Sequence, residues 1–257
     1  MYLHIFKIRC ITNLHVGSGD INYNVVDKEV EKDPVTGLPI IHASGIKGAL
    51  LQHFKSKKMD EAKRNEIFGA EGKGEVSKPG AYRFLDAHLL ARPMRTNSGA
   101  YTNINVTTAE IMQNFLNDIA DLNKEVINKT IPEMNFKTSK FIATANVGIE
   151  GFETTEMTSE QKNATAWIKE LVGDNYAFTD DMREYDLPII ARNHLNNGIS
   201  DNLWYEEFVP HGSVFYMIIL TPDEKFELDF ESPIQIGGNA SVGYGFTNIK
   251  KIDLATL

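Results

Sequence analysis

Residues 237–245 read Gly237-Gly238-Asn239-Ala240-Ser241-Val242-Gly243-Tyr244-Gly245. Glycine stands where backbone takes a positive φ or approaches a ligand closely. Four glycines here, beside an apolar segment, expose successive N–H groups and can form an anion-binding concavity. A phosphate chain would fill it, through Gly237, Gly238, Asn239, Gly243 and Gly245; the alternative is a hairpin without a ligand. A second anion site is spelled by Ser44-Gly45-Ile46-Lys47-Gly48. With Ser44 as N-cap, free amides, the positive helix end and the Lys47 ammonium converge on one point. The Gly-x-x-x-x-Gly-Lys spacing of a Walker loop is missing. A third candidate is His15-Val16-Gly17-Ser18-Gly19-Asp20, a glycine turn after a strand, with His15 and Gly17 facing a phosphate or His15 merely packed.

Three further groups carry weaker signals. Asp86 and His88 share one strand face at i, i+2 spacing. They would act as acid and base, bind metal, or simply bond within a sheet. Arg92 and Arg95 follow and can reach phosphates. Trp204-Tyr205-Glu206-Glu207-Phe208 offers aromatics for base stacking or for a core. Asp27 lies in a long loop, and spacing alone does not separate it from Asp20 or Asp33. No Ser/His/Asp order, His-Glu-x-x-His helix or Cys-x-x-Cys pair points to another enzyme class.

The elements that must hold these groups are partly legible. Residues 2–11 alternate, with Phe6, Ile8 and Cys10 opposite Lys7 and Arg9, which predicts a half-buried strand. A helix follows Ser44 through Ile46, Leu50 and Phe54. Residues 81–91 return to strand. Thr107 and Glu110 fit a capping box for a helix along Ile111, Phe115, Ile119 and Leu122. A third helix is predicted over 159–172, and a hairpin around Asn196-Asn197-Gly198 within 188–209. Val214 to Leu220 is a buried central strand. Short strands at 226–231 and 242–250 flank the glycine loop. The order predicts an α+β, ferredoxin-like sheet with helices on one face. The chain is expected to be a single domain, 1–257, with insertions at about 12–43, 56–80 and 129–209.

Composition narrows the class. The chain has 257 residues and 42% hydrophobic content, enough for one sizeable core. It has one cysteine, Cys10, and so no internal disulfide. No apolar run is long enough to span a membrane, and a cytoplasmic protein is expected. The net charge of −9 speaks against nucleic acid, but it is uneven. Residues 1–100 carry 15 basic and 11 acidic side chains, a net of +4; the remainder carries 11 and 24, a net of −13. A local basic groove is compatible with that distribution.

Taken in order, His15–Asp20, Val25-Val26-Asp27, Thr36–Ile41 and Ser44–Leu50 resemble the N-terminal pattern of the RAMP superfamily. Phe84–Leu90, Trp204–Pro210 and Ile234–Asn239 continue it, so the resemblance runs from about residue 3 to 250. Within the superfamily the chain is most similar to the repeated backbone subunit of type III-B CRISPR (Cmr) effector complexes, the fourth Cmr subunit. The resemblance implies an RNA-recognition-like palm that polymerises along a guide RNA beside other Cmr-complex subunits. The glycine loop and the Ser44–Lys47 helix end would hold the guide backbone. A β-hairpin thumb in 188–209, with Arg192 near its tip or stem, would flip a nucleotide out of the guide–target duplex at regular intervals.

The resemblance also singles out Asp27, which follows the paired valines as the family's target-cleaving aspartate does. It implies a metal-dependent endoribonuclease acting on target single-stranded RNA, with Asp27 holding a divalent ion (Mg or Mn) or orienting a ribose 2′-hydroxyl. Asn24 stands where relatives often have glycine. The type III-A backbone subunit, a non-catalytic filament subunit, and a guide-processing endoribonuclease using His15 or His88 are the rival readings. The Asp86–Leu90 and Trp204–Pro210 segments favour type III-B.

Overall fold

The structure is a computed structural model that describes residues 1–17, 19, 25–70, 78–123, 129–231 and 233–256. Ser18, Asp20 and Asn24 lie outside the described residues, as do 71–77 of the charged excursion. β1 (Tyr2–Cys10) is the predicted strand, but neither of its faces is left to solvent along its whole length. Ile5 enters one core cluster, while Phe6, Ile8 and Cys10 enter the other. Burial pushes the Cys10 thiol up to about 12, so it behaves as an apolar filler.

β2 (Ile40–Ile41) leads into α1 (Ala43–Ser56) and α2 (Glu61–Phe68). β3 (Gly69–Ala70) and β4 (Lys78–Pro79) pair with each other, apart from the main sheet. β5 (Arg83–Phe84), β6 (Ala87–Ser98) and β7 (Asn103–Thr107) precede α3 (Ala109–Asn123). β8 (Phe141–Ala143), β9 (Gly148–Ile149) and β10 (Phe152–Glu156) follow. The predicted third helix is broken into α4 (Ser159–Ala164), a 3-10 turn and α5 (Lys169–Val172), before β11 (Tyr176–Thr179). β12 (Ile189–Asn196) and β13 (Ile199–Glu207) form the predicted hairpin. Asn197 and Gly198 turn it with φ of 50° and 82°, the left-handed pair that a two-residue connection requires. β14 (Val214–Thr221), β15 (Ile234–Gln235) and β16 (Phe246–Lys251) complete the chain.

The main sheet orders its central strands β16-β1-β14-β6, all antiparallel. β7, β11, β8, β10 and β9 extend it beyond β6. Period-two alternation along β14 sends Val214, Tyr216 and Ile218 to one cluster and Phe215, Met217 and Ile219 to the other. The helices divide the same way. Ile46, Leu50 and Phe54 of α1 join the second cluster; Ile111, Phe115 and Ile119 of α3 join the first. They therefore cover opposite faces of the sheet, against the expectation of one. The continuous apolar run of β14 is the sequence trace of this double cover.

Local signals were displaced by small amounts. Thr108, not Thr107, caps α3, its hydroxyl accepting from the Ile111 amide at 3.1 Å. Thr107 instead donates to the Leu90 carbonyl, and Leu122 is exposed. Residues 226–231 form no strand. Phe226 and Phe230 pack against Phe6, because aromatic burial needs no ladder.

Candidate nucleic-acid interface

The glycine loop closes against α1. Gly45, Gly48 and Gln52 on one helix face, with Gln235, Gly237 and Ala240 opposite, line an open groove of about 620 Å³. Asn239, Gly237, Gly243 and Gly245 all take the left-handed conformation, with φ between 58° and 84°. The loop is pinned from beneath, where Gly238 donates its amide to the His15 carbonyl at 2.8 Å. A methyl group on Gly237 would stand 2.5 Å from that oxygen.

The cap of α1 is not Ser44. His42 is the N-cap and offers no side-chain bond; the Asp86 carboxylate accepts from the Ala43 amide at 2.6 Å. Asp86 also faces His42 Nδ1 at 3.6 Å, and His42 Nε2 faces Glu31 at 3.4 Å. Asp86 is thus a capping carboxylate and does not pair with His88, which packs on the Tyr216 ring. The amides of Ser44 and Gly45 take no partner among the described residues, and Ser44 is exposed. Lys47 is half-buried, and is absent from the groove lining. It stands two residues from Gly45, about 200° round the helix. The glycine loop and Lys47 therefore occupy different sides of α1.

The basic candidates part company too. Arg92 is buried and donates to the Tyr185 and Asp186 carbonyls. Burial lowers its guanidinium from the usual value. That geometry commits it to the base of the hairpin and turns it away from phosphate. Arg95 is 78% exposed, with Glu150 at 3.8 Å. His15 is buried, against the expectation that it faces a phosphate: Nδ1 donates to the Glu207 carbonyl at 2.8 Å, since a carbonyl only accepts. A methyl group on Gly17 would stand 3.0 Å from His15 Nε2.

Asp27 is placed by the hairpin. Its Oδ2 accepts from the Tyr205 amide at 2.7 Å, and its own amide donates to the Tyr205 carbonyl at 3.1 Å. Lys28 adds a bond to the same carbonyl, and its Nζ lies 5.2 Å over the Trp204 ring. The Lys28 carbonyl accepts from Glu207 at 2.9 Å. Residues 27–28 thus run as a short extra strand beside the base of β13. Asp27 is half-buried, and its Oδ1 has no partner among the described residues.

Two carboxylates at this base escape sequence reasoning. Glu206 is 1% exposed at the side chain. Its Oε2 accepts from Arg192 Nε at 3.0 Å; its Oε1 accepts from Asn239 Nδ2 and faces His15 Nε2 at 3.5 Å. Arg192 lies 4.7 Å over the Tyr244 ring of the glycine loop. Glu207 accepts from the Val30 amide at 2.9 Å and from Lys32 at 3.1 Å. The available signal was a pair of carboxylates at the end of the hairpin's second strand, just before the apolar Phe208 and Val209. Buried charges need partners.

A metal ion finds only a partial site. Among the described residues no group of three His, Cys, Asp or Glu side chains is placed to hold one. Asp27 Oδ1 is a single open oxygen, fewer than the several oxygen ligands a divalent ion takes. No helix among the described residues is long and apolar enough to cross a membrane.

The chain is 26% identical to the CRISPR system Cmr endoribonuclease Cmr4 of Pyrococcus furiosus, over 97% of this chain and 95% of that one. It superposes on a chain of the type III-B Cmr-beta complex bound to cognate target RNA with a TM-score of 0.74 at 22% identity, covering 98% and 97%. Oligomeric Cmr4 from Pyrococcus furiosus superposes with a TM-score of 0.73 at 24% identity, covering 98% of each chain. These likenesses show the shared sheet-rich fold. Residues 7–248 match the RAMP superfamily, and the chain belongs to it.

Proposed function

We propose that this chain is a guide-RNA-binding backbone subunit of a type III-B CRISPR effector complex, and that it cuts complementary target RNA beside its hairpin. The central strand order β16-β1-β14-β6 supports reading the sheet as a ferredoxin-like palm. The hairpin β12–β13 is then the thumb. The groove between α1 and the glycine loop, with the open amides of Ser44 and Gly45, is the guide path. Copies of the chain would repeat along one guide, beside other subunits of the complex.

One observation carries the cutting role: the hairpin itself holds Asp27, through the 2.7 Å bond from the Tyr205 amide. A nucleotide displaced by the thumb would therefore meet this carboxylate at a fixed distance along the strand. Asp27 Oδ1 takes the proton of the ribose 2′-hydroxyl. The 2′-oxygen bonds to the adjacent phosphorus, and the bond from phosphorus to the next 5′-oxygen breaks. Water returns a proton to that oxygen. The products are a 2′,3′-cyclic phosphate and a 5′-hydroxyl. Alternatively, Asp27 Oδ1 would hold a divalent ion, Mg or Mn, which would neutralise charge on the phosphate while water takes the 2′-proton.

Asp27→Ala tests the reading. Assembled complexes carrying it should load guide and bind target but leave the target intact. Regularly spaced cutting by that variant would refute the assignment and leave a filament subunit without a catalytic role.

A further inference from the structure

We propose that Glu206 is a positioning residue through which the glycine loop sets the placement of Asp27; this rests on the reading of Asp27 as the cutting residue. Glu206 joins three segments that are distant in the chain. Its side chain is 1% exposed and meets His15 after β1, Arg192 on the hairpin and Asn239 in the loop. Its backbone bridges Lys28, and the residue before it holds Asp27 by the amide. Displacement of β13 at 205–207 therefore displaces Asp27 as well, since three backbone bonds tie 27–28 to it.

Asn239 is the loop's contribution. It holds φ 58°, a conformation that asparagine tolerates better than most side chains. Its side chain spends its donor on Glu206 rather than on solvent. A guide backbone in the groove lies against Gly237 and Ala240, on either side of Asn239. A change there is passed to Glu206, and from Glu206 to the strand that carries Asp27. Arg192 reinforces the link, because it touches Glu206 with one nitrogen and covers Tyr244 with its plane. The arrangement makes cutting depend on how the guide fills the loop, with no contact between guide and Asp27.

The test uses the assembled, guide-loaded complex and two conservative variants. Glu206→Gln keeps the shape and one acceptor. Asn239→Gly keeps the left-handed backbone and deletes only the side chain. Each should lower the single-turnover cleavage rate at saturating target by about tenfold, with target affinity within about twofold. The double variant should be no slower than the slower single one, because both break the same link. Unchanged rates, or a double variant slowed by the product of the two effects, would overturn the proposal. If Glu206→Gln does not assemble, Asn239→Gly decides by its rate alone. Asp27→Ala is measured alongside. Cutting by that variant defeats the parent reading; its inactivity beside full-rate Glu206→Gln and Asn239→Gly defeats this proposal alone.

Discussion

Gly237 and Gly243 share one backbone conformation and differ in their surroundings, which makes them a matched pair. Both hold φ 84°. Alanine at either site pays for a left-handed backbone, about 1–2 kcal/mol. At Gly243 nothing lies within 4 Å of the added methyl, so that is the whole cost. At Gly237 the methyl meets the His15 carbonyl oxygen at 2.5 Å. That oxygen must retreat and loses the 2.8 Å bond from the Gly238 amide. The lost bond adds about 1 kcal/mol, and the displaced His15 disturbs its partner Glu206. Gly237→Ala should therefore cost about 2.5 kcal/mol, against about 1.5 kcal/mol at Gly243. With a slope of about 3 kcal/mol per M, urea midpoints should fall by about 0.5 M for Gly243→Ala and about 0.8 M for Gly237→Ala. Equal midpoints would refute the account of the loop as a backbone locked onto His15.

Lys47 stands off the groove, so Lys47→Glu should leave the salt dependence of guide retention unchanged. A log–log slope flattened by about 0.7, the loss of one phosphate contact, would move the guide path to the Lys47 side of α1. Asp86→Ala removes the cap of α1 and should lower stability by about 1 kcal/mol, read as a melting shift of about 2–4 °C. Burial holds His4 below its ordinary value. Its neutral form suits the fold, so its contribution is complete above about pH 6.5 and is lost as pH falls through the folded value. His4→Gln should make the melting temperature less sensitive to pH between about 7 and 5.

How far the chain could be read depended on the range of the interaction. β1, β14 and the 188–209 hairpin were legible because period-two alternation, a continuous apolar run and the Asn-Gly turn are local properties of the chain. The caps were misplaced because the group that satisfies α1 is Asp86, more than forty residues away, and a distant carboxylate leaves no mark near Ser44. Arg92 reads as a phosphate ligand by type, yet its environment turns it inward onto carbonyls. Helices on both faces went unforeseen because hydrophobic stripes state that a helix is covered, never by which side of a sheet.

Glycine content marked the loop at 237–245, and motif order along the whole chain marked the superfamily and Asp27. Both are one-dimensional signals: a backbone freed from its Cβ, and a series of spacings. The tertiary structure alone decided that Asp27 hangs from the Tyr205 amide and that Glu206 ties the glycine loop to the same strand. Those contacts join residues 178 and 33 positions apart. Buried carboxylates take whatever donors folding brings to them. Chain spacing therefore says little about their partners, and a single strand base can unite the loop, the hairpin and Asp27.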